Sequence, residues 1–257
     1  MRKAQDRILQ TRPYANKLET LMQHMASMVA QSGHPLLEDR DLKRATVIVV
    51  TGDRGLCRAF NTNAIRAGLE VHEELTDQGT EVEFVAVGRK CAEYFRRRQS
   101  TYQLLAEHPG VFGDLEFLTA QQIAAQAVDR YEAHDTDRVV LVYNKFKNML
   151  QQDLVTKQFL PLQPVEPSTE GVVDYIYEPD KEAIWERLIS QYVDLEVWRV
   201  LLESNAAEQA ARMTAMEEAT NNAQDMIKDL TSVRNKVRQG NITRELSEIV
   251  GGSSALE

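Results

Sequence analysis

Ser204-Asn-Ala-Ala-Glu-Gln-Ala-Ala-Arg-Met-Thr-Ala-Met216 lies in the middle of some seventy residues, about 181–250, with no proline and a single glycine, Gly240. Nothing in that stretch breaks a helix, and one helix of such length would be ~100 Å long, far beyond the usual globular helix. Leu188, Tyr192, Leu195, Arg199, Leu202, Ala206, Gln209, Met213, Met216, Thr220, Ala223, Ile227, Leu230, Arg234 and Val237 follow alternating steps of four and three. Eleven of these fifteen are apolar, which makes a heptad seam rather than a chance stripe. Alanines at 206, 210, 211, 215, 219 and 223 keep the rod slim and allow a second backbone to approach closely. A helix of this kind has no room inside a single α/β domain and is expected to project from it.

Upstream, about Leu42 to Asp180 alternates strand and helix signals. Ala45-Thr-Val-Ile-Val-Val-Thr51 is a continuous apolar run, as expected of a strand covered on both faces. Gly52-Asp-Arg-Gly55 and a helix to about Leu75 follow it. A second strand is predicted at 82–87, with a helix through Arg98, and a further helix at about 118–134. Strands are predicted again at 139–143 and 153–160, the last ending at Pro161, Pro164 and Pro167. Alternation of this kind implies a mostly parallel, doubly wound sheet. The first segment, Met1 to about Ser32, reads as helix through Tyr14, Leu18, Leu21, Met25 and Met28. Pro13 is expected to bend it, and Gly33 and Pro35 to stop it. No N-cap precedes the pattern, so the chain is expected to begin in mid-helix. The predicted organisation is a Rossmann-like domain, 36–180, inserted between two long helices, 1–35 and 181–257, that form an antiparallel coiled coil.

Composition excludes several functions. A net charge of −9 and a pI near 5.2 argue against a nucleic-acid binder, and Arg96-Arg97-Arg98 sits among acids. Two cysteines, Cys57 and Cys91, are too few for a disulfide scaffold. There is no CxxC, HExxH or Cys/His cluster, so neither a metal nor any other cofactor is expected. No apolar run approaches the ~18 residues of a membrane span, and the N-terminus lacks a secretory signal. A soluble, intracellular protein that meets membranes only through partners is expected.

Gly52-Asp53-Arg54-Gly55 after a strand invites a phosphate-loop reading. It is neither GxGxxG nor a Walker loop, and a tight strand-to-helix turn is the better expectation. Cys57, just beyond it, is expected to be a small buried residue rather than a reactive thiol. Trp185 and Trp198 are expected to pack the long helix onto the domain. An enzyme with a coiled-coil dimerisation arm, and a plain coiled-coil adaptor, are the alternatives that periodicity alone leaves open.

Longer motifs carry a resemblance. Leu201-Leu-Glu-Ser-Asn-Ala-Ala-Glu-Gln-Ala-Ala-Arg-Met-Thr-Ala-Met-Glu-Glu-Ala-Thr-Asn-Asn-Ala223 and Asn235-Lys-Val-Arg-Gln-Gly-Asn-Ile-Thr-Arg-Glu-Leu-Ser-Glu-Ile-Val-Gly-Gly252 resemble the C-terminal helix of ATP synthase gamma subunits. Gly52-Asp-Arg-Gly-Leu-Cys-Arg-Ala-Phe-Asn61, Asp174-Tyr-Ile-Tyr-Glu-Pro179, Met1-Arg-Lys-Ala-Gln-Asp6 and Arg12-Pro-Tyr-Ala15 are similar to other parts of that family.

The resemblance implies a non-catalytic central rotary shaft in an F-type ATP synthase, coupling proton translocation to ATP synthesis or hydrolysis. Its coiled coil would sit in a hexameric ring of alpha and beta subunits. Its base would contact the epsilon subunit and the membrane c-ring, at the cytoplasmic face of a bacterial inner membrane, without entering the bilayer. Arg212, Arg238, Gln239, Thr243 and Glu245 match positions in polar contact with the ring, and Leu246, Ile249 and Val250 would form an apolar tip in its upper bearing. Gly240 departs from the family's usual alanine, at a cost of about 1 kcal/mol of helix propensity. The family's first helix starts several turns upstream of Met1, and the paired cysteines of the chloroplast subunits are not visible.

Overall fold

A computed structural model describes residues 34–162 and 181–254, with Pro13 and Lys17 as isolated helical positions. The stripe of the first predicted helix, the proline loop after Leu162 and the Asp174–Pro179 motif lie outside the described residues.

His34 opens the described chain by accepting the Leu36 amide on its Nδ1 (3.1 Å), starting a 3-10 turn at Pro35–Leu37. The apolar run then forms β1, Arg44–Val50, and every residue after Arg44 is buried. The elements that follow are α1 (Phe60–Asp77), β2 (Glu81–Val87), α2 (Arg89–Arg96), β3 (Gln103–His108), α3 (Phe117–Glu132), β4 (Arg138–Phe146), β5 (Gln152–Leu160) and α4 (Lys181–Ser254). The strands make one five-stranded sheet in the order β3-β2-β1-β4-β5. β1 runs parallel to β2 and β4, β2 parallel to β3, and only β5 is antiparallel to its neighbour β4. The sheet is thus mostly parallel, as the alternation predicts.

The predicted elements agree with the observed ones to within a few residues, but β3 has no counterpart among them. Gln103-Leu-Leu-Ala-Glu-His108 contains no β-branched residue, and as an edge strand it is mostly half-buried. It therefore lacks both the composition and the burial pattern by which β1 and β2 declare themselves.

Alternate side chains of β1 serve two cores. Val47 and Val49 pack with Ala64, Ala67, Phe84, Cys91 and Phe95, beneath α1 and α2. Ile48 and Val50 face Ile123, Ala124 and Ala127 of α3 and Ile189, Val193 and Val197 of α4. The first core is aromatic: Phe84 stacks on Phe95 at 4.2 Å and on His72 at 5.5 Å, with Tyr102 edge-on at 5.9 Å. Desolvation holds the His72 imidazole below its usual pKa.

The chain divides into two compact units, the first ending at Arg212 and the second beginning at Met213. Within the first unit, α4 buries Trp185, Ile189, Val193, Val197, Val200, Ser204, Ala207 and Ala211. This ridge is displaced by about one residue from the predicted seam, whose Leu188, Tyr192, Leu195, Arg199 and Gln209 are only half-buried. The helix here has two apolar flanks, and a 4-3 spacing fits either. Trp185 is buried, and Trp198 meets Phe117 edge-on at 5.7 Å, so both tryptophans fasten α4 to the domain.

Phe84→Ala removes the ring on which this aromatic core converges and should cost about 3–5 kcal/mol. Urea unfolding followed by near-ultraviolet circular dichroism measures it; a loss under 1 kcal/mol would mean that the cluster does not hold the sheet to α1 and α2.

Candidate functional site

In a sheet of this order, a ligand is expected at the carboxyl ends of the strands, where successive crossovers diverge. Here that place lies between β1 and β4, above the turn that follows β1. It is occupied by the chain itself. Gly88, at φ +92°, precedes α2, and a Cβ there would run into the Thr51 carbonyl. The first three amides of α2 would be free to bind an anion. Asp53 Oδ1 accepts the Arg89 amide (2.8 Å), the Gly52 carbonyl accepts that of Lys90 (3.2 Å), and Thr51 Oγ1 accepts that of Cys91 (2.9 Å).

Asp53 does more than cap. Its Oδ1 also accepts the Gly110 amide (2.9 Å) and its Oδ2 the Phe112 amide (2.9 Å), so one carboxylate ties the turns after β1 and β3 to α2. A carboxylate thereby fills the role that a phosphate would play. Asn61 closes the turn from the other side: Oδ1 accepts the Gly52 amide (2.8 Å) and Nδ2 donates to the Arg54 carbonyl (3.1 Å) and to Cys57 Sγ (3.2 Å). Cys57 is buried, and burial, aided by the Glu208 charge, pushes its thiol pKa up. A high-pKa buried thiol is a poor nucleophile. Leu56 and Arg58, at φ 62° and 52°, are the left-handed residues that the tight turn requires.

The long helix lies on this turn. Glu208 is buried, and its carboxyl rests so closely on Gly52 that a Cβ there would collide with it. Arg212 pairs with Glu208 (Nη2 to Oε1, 2.5 Å) and donates from Nε to the Gly55 carbonyl (3.4 Å). A cleft of about 380 Å³ remains, lined by Asp53, Arg89, Phe112, Gln209 and Arg212 among others. Its Arg89, Gly110 and Phe112 amides are taken by Asp53, and no cluster of metal-ligating side chains is found among the described residues.

About three helical turns before Glu208, α4 carries a second buried charge. Glu196 accepts Lys157 Nζ of β5 (2.8 Å) and Arg199 Nη2 (2.7 Å). Burial alone would raise its pKa, but the two cations hold it below the ordinary carboxylate value. Tyr143 nearby is pushed up to about 12 by burial and by Glu203.

The second unit is different in kind. Met226, Ile227, Leu230, Val233, Val237, Ile242, Leu246 and Ile249 are all exposed, each between 48% and 69%. Met226, Ile227, Leu230, Val233 and Val237 share one stripe, and after a step of five Ile242, Leu246 and Ile249 take up another, so the apolar ladder changes side beyond Val237. Of the residues singled out by resemblance, Arg238, Gln239, Thr243 and Glu245 lie exposed on this stretch, with Thr243 Oγ1 returned to the Gln239 carbonyl (2.9 Å). Leu246 and Ile249 are exposed, and Val250 is helical. Arg212 is placed apart from them, in the first unit.

Comparison with known proteins bears on this pairing of an occupied crevice with an exposed apolar helix. The family model described as ATP synthase matches residues 1–256. The ATP synthase gamma chain of Chlorobium luteolum is 45% identical over 261 residues, covering all of this chain and 89% of that relative. The chain belongs to the ATP synthase gamma chain family. Relatives of the same name from Chloroherpeton thalassium and Pelotomaculum thermopropionicum are 41% and 42% identical, again over the whole of this chain and 89% of each relative. The fold also matches a chain in the Euglena gracilis mitochondrial ATP synthase OSCP/F1/c-ring structure, with TM-score 0.58 and 20% identity over 99% of this chain and 94% of that one. A chain of the Tetrahymena thermophila mitochondrial central stalk/c-ring structure gives TM-score 0.54 and 21% identity over 84% and 99%. In this chain the Gly52–Gly55 turn is a structural joint.

The roles of Asp53, Asn61 and Glu208 escape sequence reasoning. Asp53 is visible as part of a turn, but its partners at 110 and 112 are not adjacent in any pattern, and Glu208 reads as one more exposed acid of a rod. Asp53→Ala should destabilise the chain by about 3 kcal/mol or more, since it strips three amides of one charged acceptor. Chemical denaturation measures the loss. Calorimetric titration of the unaltered chain with ATP and with NAD should show no micromolar binding; saturable binding of either would overturn the reading of an occupied crevice.

Proposed function

We propose that this chain is the central rotary stalk of an F-type ATP synthase and couples proton translocation through the membrane sector to ATP synthesis and hydrolysis. One observation carries the reading: an apolar ladder from Met226 to Ile249 stands exposed on a helix that belongs to the ATP synthase gamma chain family. A lone helix is marginal in water, and apolar surface left bare costs ~25 cal/mol per Å². Such a ladder calls for a partner. The bore of an alpha/beta ring supplies it, while residues 1–35 form an antiparallel coiled coil with the part of the helix that precedes the ladder. Residues 36–180 form the base, which rests on the epsilon subunit and the c-ring.

The chain is non-catalytic in this reading, and the catalytic sites lie on the ring. Its work is differential contact: each orientation of an asymmetric shaft stabilises a different conformation of each surrounding site, and rotation moves the sites through those conformations in turn. Polar contacts suit a turning surface because they break and re-form. Arg238, Gln239, Thr243 and Glu245 supply them, and Arg212 adds what its two bonds within the chain leave over. Leu246, Ile249 and Val250 form the tip in the upper bearing. The bacterial relatives support a place at the cytoplasmic face of a bacterial plasma membrane. No described helix is long and apolar enough to cross a bilayer.

Arg238→Glu with Glu245→Arg should lower ATP turnover of the reconstituted complex several-fold while the helical circular dichroism of the chain is unchanged. Unaltered turnover would reduce both residues to solvated helix surface. Failure of the unaltered chain to assemble with alpha and beta subunits would overturn the function itself.

A further inference from the structure

His34 stands at the entrance to the base, and its side chain makes a bond that only one protonation state allows. The Leu36 amide donates to its Nδ1 (3.1 Å), so that nitrogen is bare and the ring proton sits on Nε2. The bond opens the turn Pro35–Leu37, which is tied to the rest of the base in three places. Leu36 is buried in the core shared by the sheet, α3 and α4. Its carbonyl accepts the Leu162 amide just beyond β5 (2.8 Å). The Glu38 carbonyl at the end of the turn accepts the Tyr131 hydroxyl of α3. The imidazole also lines a cavity of about 620 Å³, which it shares with Asp129 and Glu132 of α3 and Glu186 and Asp194 of α4. Asp194 is engaged by Gln121 (3.0 Å), and no lysine or arginine lines the cavity among the described residues. In the segment that follows His34, Glu38 and Arg40 pair with each other (2.9 Å), and Asp39 is exposed. Two demands therefore meet on one ring. Burial and the Leu36 amide require it neutral, whereas Glu132 and Glu186 favour its charged form; burial prevails, and the pKa lies below the ordinary imidazole value.

We propose that His34 is a pH-operated latch, which fastens the Pro35–Leu37 turn to β5 and α3 while neutral and releases it when protonated. A proton on Nδ1 would set one N–H against another, so the cap and the charge exclude each other. Once charged, the ring turns from the Leu36 amide toward Glu132 and Glu186, which lie across the same cavity. The turn then loses the bond that starts it, and the Leu36 carbonyl no longer holds the Leu162 amide. Because burial depresses the folded pKa, the latch is complete above about pH 6.5, the value of a free imidazole, and opens as the pH falls through the lower folded value. The inference needs only this chain and stands apart from the central-stalk reading.

Amide exchange in the purified full chain tests it, followed residue by residue by NMR from about pH 7.5 to about pH 5 and corrected for the intrinsic pH dependence of exchange. Protection at Leu36 and at Leu162 should fall together, by about tenfold or more, while that of Val47 and Ile48 in the central strand holds. His34→Asn keeps an acceptor for the Leu36 amide and does not titrate, so its protection should not change with pH. Glu132→Gln with Glu186→Gln removes the carboxylates that favour the charged ring and should move the transition to lower pH. Constant protection at Leu36 in the unaltered chain would overturn the proposal. So would a loss in His34→Asn as large as in the unaltered chain, because the sensitivity would then lie in another group. A loss at Leu36 with none at Leu162 would overturn it too, since His34 would then cap its own turn without fastening it to anything.

Discussion

Glu208 and the glycine beneath it impose more on this chain than any other contact. A carboxylate buried in a protein must be paired and accommodated, or it gives up its charge. Arg212 supplies the pair and Gly52 supplies the room. Because that room lies just after β1, the turn must curl inward, and Asp53 and Asn61 hold it there through backbone amides. A fold that elsewhere offers a nucleotide its helix N-terminus thus spends those donors on its own loop. The crevice becomes the seat of a helix.

That seat divides one helix into two chemistries. Up to Arg212, α4 behaves as a core element, with Trp185, valines and alanines buried beneath α3 and the sheet. From Met213 onward its large apolar residues are exposed. A rod whose near part is built into a domain and whose far part is unfinished without company is what a shaft requires. The near part must not turn within its base, and the far part must turn against its surroundings.

Much of this was legible in the residues. The uninterrupted run at 45–51 could only be a two-sided strand, and the absence of proline between Lys181 and Val250 could only be one helix. The four-three spacing located an apolar seam along it, yet it could not separate the flank that meets the sheet from the one that does not, since Leu188 and Ile189 are equally apolar. β3 was missed because Gln103-Leu-Leu-Ala-Glu-His108 has no β-branched residue and only a partly covered face. The importance of Asp53 and Glu208 was invisible for a different reason. Each matters through residues distant in sequence, Gly110 and Phe112 for one and Gly52 for the other, and no local period records such a meeting. Motifs carried the assignment to a family, but the arrangement of the buried charges needed coordinates.

Hydrogen exchange along α4 tests the division directly. In the purified chain, amides from Val197 to Ala211 should exchange slowly, at rates set by opening of the whole domain, and those from Ile227 to Val237 should exchange orders of magnitude faster. In the complex with alpha and beta subunits, the second group should become as slow as the first. Uniform strong protection from Val197 to Val237 in the purified chain would contradict the account, because the far half of the helix would then need no partner.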